Sequence, residues 1–134
     1  MAIDICMHAR LSLPYAQAVQ KTTDALKAEG FGVMTQINLQ TPLNRKPNIH
    51  LRRHVILGAC NPPLAHHALS ADLDIELPLP CNVTVYEEDD GSVVTAVDPL
   101  EMFGVIKEDP VAHEVAVEAR VKLQRVLASL KQSK

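Results

Sequence analysis

The chain has 134 residues, a length at which one domain can bury roughly two thirds of its unfolded surface around a single core. Its hydrophobic fraction of 47% and charged fraction of 22% are ordinary globular values, and a net charge of -3 gives no sign of a polyanionic partner. Aromatic residues make up only 3% of the chain, too few for a surface on which bases could stack. We therefore expect one domain spanning 1–134 that binds neither nucleic acid nor membrane.

The N-terminal residues lack the unbroken apolar run of a signal peptide, and no window reaches the ~18 successive apolar residues of a membrane span. These features predict a cytoplasmic location, where thiols stay reduced. The three cysteines, Cys6, Cys60 and Cys81, are an odd number and therefore a poor disulfide framework. Burial, metal ligation or thiol chemistry remain as the reasons for their presence.

The first half of the chain predicts three strands and one long helix. Alternation of apolar and polar residues indicates the strands, and apolar residues three to four apart indicate the helix, which ends at Gly30. The predicted elements are a half-buried strand at 3–8 in which Cys6 is packed, a helix at 12–30, a strand with one wet face at 33–39 and a strand at 49–60. Because residues 55–59 are uniformly apolar, we expect that end of the last strand to be buried on both sides.

The second half predicts a short helix, a hairpin and a long terminal helix. Asn61 suits a helix N-cap, and Pro62 and Pro63 suit a first helical turn. The remaining predictions are a loop containing Pro78 and Pro80, strands at 81–87 and 92–97 joined by an acidic turn, a turn or short helix at 99–106, and a helix from Pro110 onward. This order indicates an α+β fold with a single mostly antiparallel sheet and two long helices on one face.

Two Cys-Asn pairs, Cys60-Asn61 and Cys81-Asn82, lie at breaks marked by proline. If their strands were parallel, the two thiols would be separated by about the length of a strand, ~20 Å. In an antiparallel pair, the end of the first strand and the start of the second lie at the same edge of the sheet. We favour the antiparallel case, in which the thiols share a pocket and all four residues are candidate ligand-binding residues.

Each of these residues has a functional and a structural interpretation. Cys60 immediately precedes a helix, whose free N–H groups and dipole can lower a thiol pKa, so it is a candidate thiolate. Alternatively, Cys60 is a packed strand residue. Asn61 and Asn82 either fix a ligand or serve as a helix cap and an edge residue.

The same region also contains candidate metal ligands. Cys60 and Cys81 with His66 or His67 would suit a soft ion such as zinc or copper, because thiolate and imidazole are the ligands that such ions select. Adjacent histidines point about 100° apart on a helix, so we expect at most one of them to face the cysteines. The spacing matches no known metal motif.

The segments at 56–62, 79–83, 85–87 and 98–99, which include both Cys-Asn pairs, resemble the family known as domain of unknown function 302, DUF302. The resemblance runs over nearly the whole chain. It implies a fold like that of the TATA-binding protein, with the order strand, helix, four strands, helix, and a homodimer. Fold likeness to a DNA-binding protein does not imply DNA binding, and the family brings no established activity.

Three functions remain open. The leading hypothesis is a homodimeric binding or carrier protein, not an enzyme, whose pocket around the Cys-Asn corners holds a soft metal ion or a thiol-reactive small molecule. The second is a thiol-dependent enzyme, for example in sulfur transfer, with Cys60 as nucleophile and His66 or His67 as base. The third is a structural or interaction module that has no small-molecule ligand.

The terminal helix offers a candidate dimer contact. Val117 and Val121 lie four residues apart, outside its core stripe, and form a narrow apolar strip. The charged residues that border this strip are Glu114, Glu118, Arg120 and Arg125. An apolar strip with a polar rim is typical of a two-fold contact. Alternatively, the 99–106 segment buries the same residues within one chain, or the dimer contact lies along an edge of the sheet.

Overall fold

The structure, a computed structural model, describes residues 6–40, 52–71, 81–102 and 110–131. Its strands are β1 (Cys6–Leu11), β2 (Gly32–Asn38), β3 (His54–Cys60), β4 (Cys81–Glu88) and β5 (Gly91–Val97). Its helices are α1 (Tyr15–Ala28), α2 (Pro62–Ala71), α3 (Pro99–Met102) and α4 (Pro110–Lys131). The predicted long helices, the short helix after Asn61 and the hairpin are all confirmed.

The strands form one sheet in the order β1-β5-β4-β3-β2, and every neighbouring pair is antiparallel. Along the chain, the order is strand, helix, four strands with the short helix α2 in their middle, the short helix α3, and a long terminal helix. The predicted α+β fold with a single antiparallel sheet is confirmed. β1 and β2 are the two edges of this sheet.

The core lies between one face of the sheet and the two long helices. The strand register aligns Leu57, Val83 and Ala96 in one row across β3, β4 and β5, and all three side chains are almost completely buried. Leu26 of α1 and Leu123 of α4 belong to the same apolar cluster. Full burial of an aliphatic side chain of this size contributes about 1.5–3 kcal/mol, so this layer supplies much of the stability.

Two strands differ in extent from the prediction. β1 continues to Leu11, because Ala9 and Leu11 extend the alternation and bury their side chains against the helices. β3 begins at His54, and the predicted strand residues 49–51 lie outside the described residues, as do 3–5 and the predicted loop with Pro78 and Pro80. Within β3, Ile56 is only half-buried, so the prediction of burial on both sides was wrong at that residue.

β2 departs most from the prediction of a strand with one wet face. Residues from Met34 to Asn38 are all exposed, and Val33 is half-buried. Among the described strands, β2 is bonded only to β3, because it lies at the edge of the sheet. A register shift between Val33 and Thr35 also interrupts the alternation that the sequence suggests.

The apolar strip of the terminal helix is exposed, as its position outside the core stripe predicts. Val117 is 39% exposed and Val121 is 41% exposed, whereas Leu123 in the core stripe is fully buried. No described helix is both long and apolar enough to cross a membrane. The segment 99–106 contains the short helix α3, and its residues 103–109 lie outside the described part of the chain.

Candidate functional site

The two Cys-Asn corners lie at the same end of neighbouring strands. β3 and β4 are antiparallel, with Ala59 opposite Cys81 and Gly58 opposite Asn82. Cys60 therefore lies one residue beyond the partner of Cys81. This confirms the antiparallel arrangement on which the prediction of a shared site depended.

The side chains of the two cysteines, however, point to opposite faces of the sheet. Successive residues of a strand alternate between faces, so Cys81 shares the helix-covered face with Ala59, whereas Cys60 lies on the other face. The burial of the two thiols agrees: Cys81 is 8% exposed and belongs to the core cluster, while Cys60 is only half-buried. The corners thus bring two backbones together without directing both thiols into one cavity.

Burial raises the pKa of both thiols and so favours their protonated form. Desolvation raises the pKa of Cys60. Burial, reinforced by the negative charge that Cys60 would carry, raises the pKa of Cys81 to about 11. This upward shift of the Cys60 pKa is opposite in direction to the one predicted from the adjacent helix N-terminus, and its cause is desolvation.

Asn61 is a structural residue in this arrangement. Its Oδ1 accepts a hydrogen bond from the backbone N–H of Leu64 at 3.4 Å, which caps the start of α2. Its Nδ2 donates to the carbonyl oxygen of Glu29 at 3.2 Å, just beyond the end of α1. Both ends of this buried amide are therefore engaged by the backbone, which matches the helix-cap interpretation.

Asn82 has a different environment from Asn61, although both follow a cysteine. It is exposed and lies opposite Gly58 on the face of the sheet that the two described long helices do not cover, here called the open face. Cys60 lies two residues after Gly58 and is therefore on the same face. The four predicted residues thus divide into an interior pair, Asn61 and Cys81, and a pair on the open face, Cys60 and Asn82.

The two histidines lie on the exposed side of α2. His66 and His67 are both exposed, and His67 Nε2 lies 3.9 Å from Glu114 Oε2 on α4. Within residues 6–40, 52–71, 81–102 and 110–131, no three histidine, cysteine or acidic side chains cluster closely enough to hold a metal ion. Metal binding through Cys60, Cys81 and a histidine stays a prediction.

An open cavity of about 340 Å³ lies at the opposite end of β4, beside the acidic turn of the hairpin. The Arg53 guanidinium lies 5.1 Å from the centre of the Tyr15 ring and 3.0 Å from Glu87 Oε2. Hydrogen bonds from the backbone N–H and guanidinium of Arg53 lower the pKa of Glu87. In the fold, Arg53 and Glu87 therefore form an ion pair beside the acidic turn of the hairpin.

Asp98 and Arg120 form an ion pair that sequence reasoning missed. Asp98 is 7% exposed, its Oδ2 lies 3.2 Å from Arg120 Nε, and its Oδ1 accepts a hydrogen bond from the N–H of Leu100. The pair joins the end of β5 to α4. Asp98 directly follows the predicted strand at 92–97, and the local sequence contains no signal for a partner on a distant helix.

These features define the class of protein as an α+β domain in which the two Cys-Asn corners lie at the same end of neighbouring strands. Residues 7–130 match the family model described as "Domain of unknown function DUF302", so the chain belongs to the DUF302 family. The solved structures similar to it include an uncharacterized conserved DUF302 protein from Bacillus stearothermophilus, at 26% identity and a TM-score of 0.87. That match covers 96% of this chain and 99% of the other. A search of curated proteins found no match.

Proposed function

We propose that this DUF302 protein is an interaction module, meaning a protein that acts through contact surfaces and not through chemistry at its thiols. The observation that carries this proposal is the use of the Cys-Asn corners by the fold itself. Cys81 is part of the core, and the Asn61 amide connects two helices. These contacts support the third of the functions considered from the sequence.

The electrostatics of the thiols favour this function over a thiol-dependent enzyme. A nucleophilic cysteine needs its thiolate form, and a pKa above the ordinary value of about 8.5 lowers the thiolate fraction at neutral pH. Burial raises the pKa of Cys60 and takes that of Cys81 to about 11. Sulfur transfer through Cys60 would have to overcome this cost before each reaction.

We also propose that the module acts as a homodimer. Among the described residues, large apolar side chains are exposed in two separate regions, on the edge strand β2 and on the α4 strip of Val117 and Val121. Exposed apolar groups of this kind mark contact sites when they are contiguous and rimmed by polar residues. They give the chain two candidate surfaces for a second copy.

A soft-ion or thiol-ligand site at Cys60 is the second candidate function. Cys60 is half-buried on the open face, near exposed Asn82, and its charge is close enough to affect the pKa of Cys81. A thiophilic ion such as copper or zinc can displace the proton from a thiol even when its pKa is raised. An electrophilic small molecule would form an adduct at the same sulfur.

Native mass spectrometry of the purified protein separates the two candidates. Cys60→Ala removes the half-buried thiol, and Cys6→Ala is a matched control because Cys6 is also a half-buried strand cysteine. For an interaction module, all three proteins have the mass of the polypeptide alone. An additional mass that is lost in Cys60→Ala and retained in Cys6→Ala would replace this proposal with the ligand site.

A further inference from the structure

We draw no further inference here: the strongest candidate, the open cavity between the start of α1 and the acidic turn of the β4–β5 hairpin, is formed by a helix N-terminus and an acidic cluster, and nothing in the described residues points to a ligand that it would hold.

Discussion

The side-chain amide of Asn61 donates a hydrogen bond to the carbonyl oxygen of Glu29 at 3.2 Å, and so joins the start of α2 to the end of α1. Its oxygen caps α2 through the N–H of Leu64. The space around the amide is limited, since a methyl group on Gly30 would lie 3.1 Å from its Nδ2. One side chain therefore sets the relative position of two helix ends beside Cys60.

Asn61→Ala should lower the free energy of unfolding by about 1–2 kcal/mol, because it removes an N-cap and leaves buried backbone groups without a partner. Asn82→Ala is the matched control from the second Cys-Asn pair, and its exposed site predicts a change within about 0.5 kcal/mol. Urea unfolding followed by circular dichroism measures both. Equal effects of the two substitutions would contradict the structural role assigned to Asn61.

Gly91 begins β5, directly after the acidic hairpin turn, and has a positive φ of 153°. A methyl group there would overlap the backbone carbonyl of Leu11, which cannot move without disturbing β1. Gly91→Ala should therefore lower the free energy of unfolding by more than about 2 kcal/mol. Gly32→Ala is the control, because no atom lies within 4 Å of the added methyl group. A similar midpoint of urea unfolding for both variants would refute this account of the hairpin.

The Arg53–Glu87 contact predicts a specific pH dependence. Because hydrogen bonds from Arg53 lower the pKa of Glu87 in the folded protein, the unfolded chain binds a proton more readily at this residue. The contact therefore stabilises the fold above the ordinary pKa of a glutamate, and this stabilisation is lost as the pH falls through the folded pKa.

NMR titration of the Glu87 carboxyl measures this effect directly. Arg53→Gln should raise the Glu87 pKa toward its ordinary value, because the guanidinium bonds are removed. Arg125→Gln is a control that removes a cation from a different ion pair, with Glu29. If the Glu87 pKa does not change in Arg53→Gln, the contact does not persist in solution.

Much of the fold could be predicted from the sequence because its periodic signals are strong. Three-to-four spacing of apolar residues predicted α4, and the acidic Gly91 turn between two alternating segments predicted the β4–β5 hairpin. The proline breaks beside Cys60 and Cys81 located two strand ends. Antiparallel pairing then placed both corners at one end of the sheet, as the structure has them.

The details of the candidate site could not be obtained in the same way. Strand side chains alternate with a period of two, so a difference of one residue in register decides whether Cys60 and Cys81 share a face. The sequence predicts where strands end but not this register. The sequence also cannot show whether the helix N-terminus or burial has the larger effect on the pKa of Cys60, because burial depends on distant segments. The Asp98–Arg120 pair escaped prediction for the same reason.

The reactivity of Cys60 tests the central claim most directly. Native protein is treated with iodoacetamide over a range of pH, and the modification of each cysteine is followed by peptide mass spectrometry, with the urea-unfolded chain as reference. We predict that Cys60 reacts with an apparent pKa above that of the unfolded chain and that Cys81 stays unmodified until the protein unfolds. Rapid reaction of Cys60 in the folded protein, with an apparent pKa well below the reference, would contradict the interaction module and restore a chemical role for this thiol.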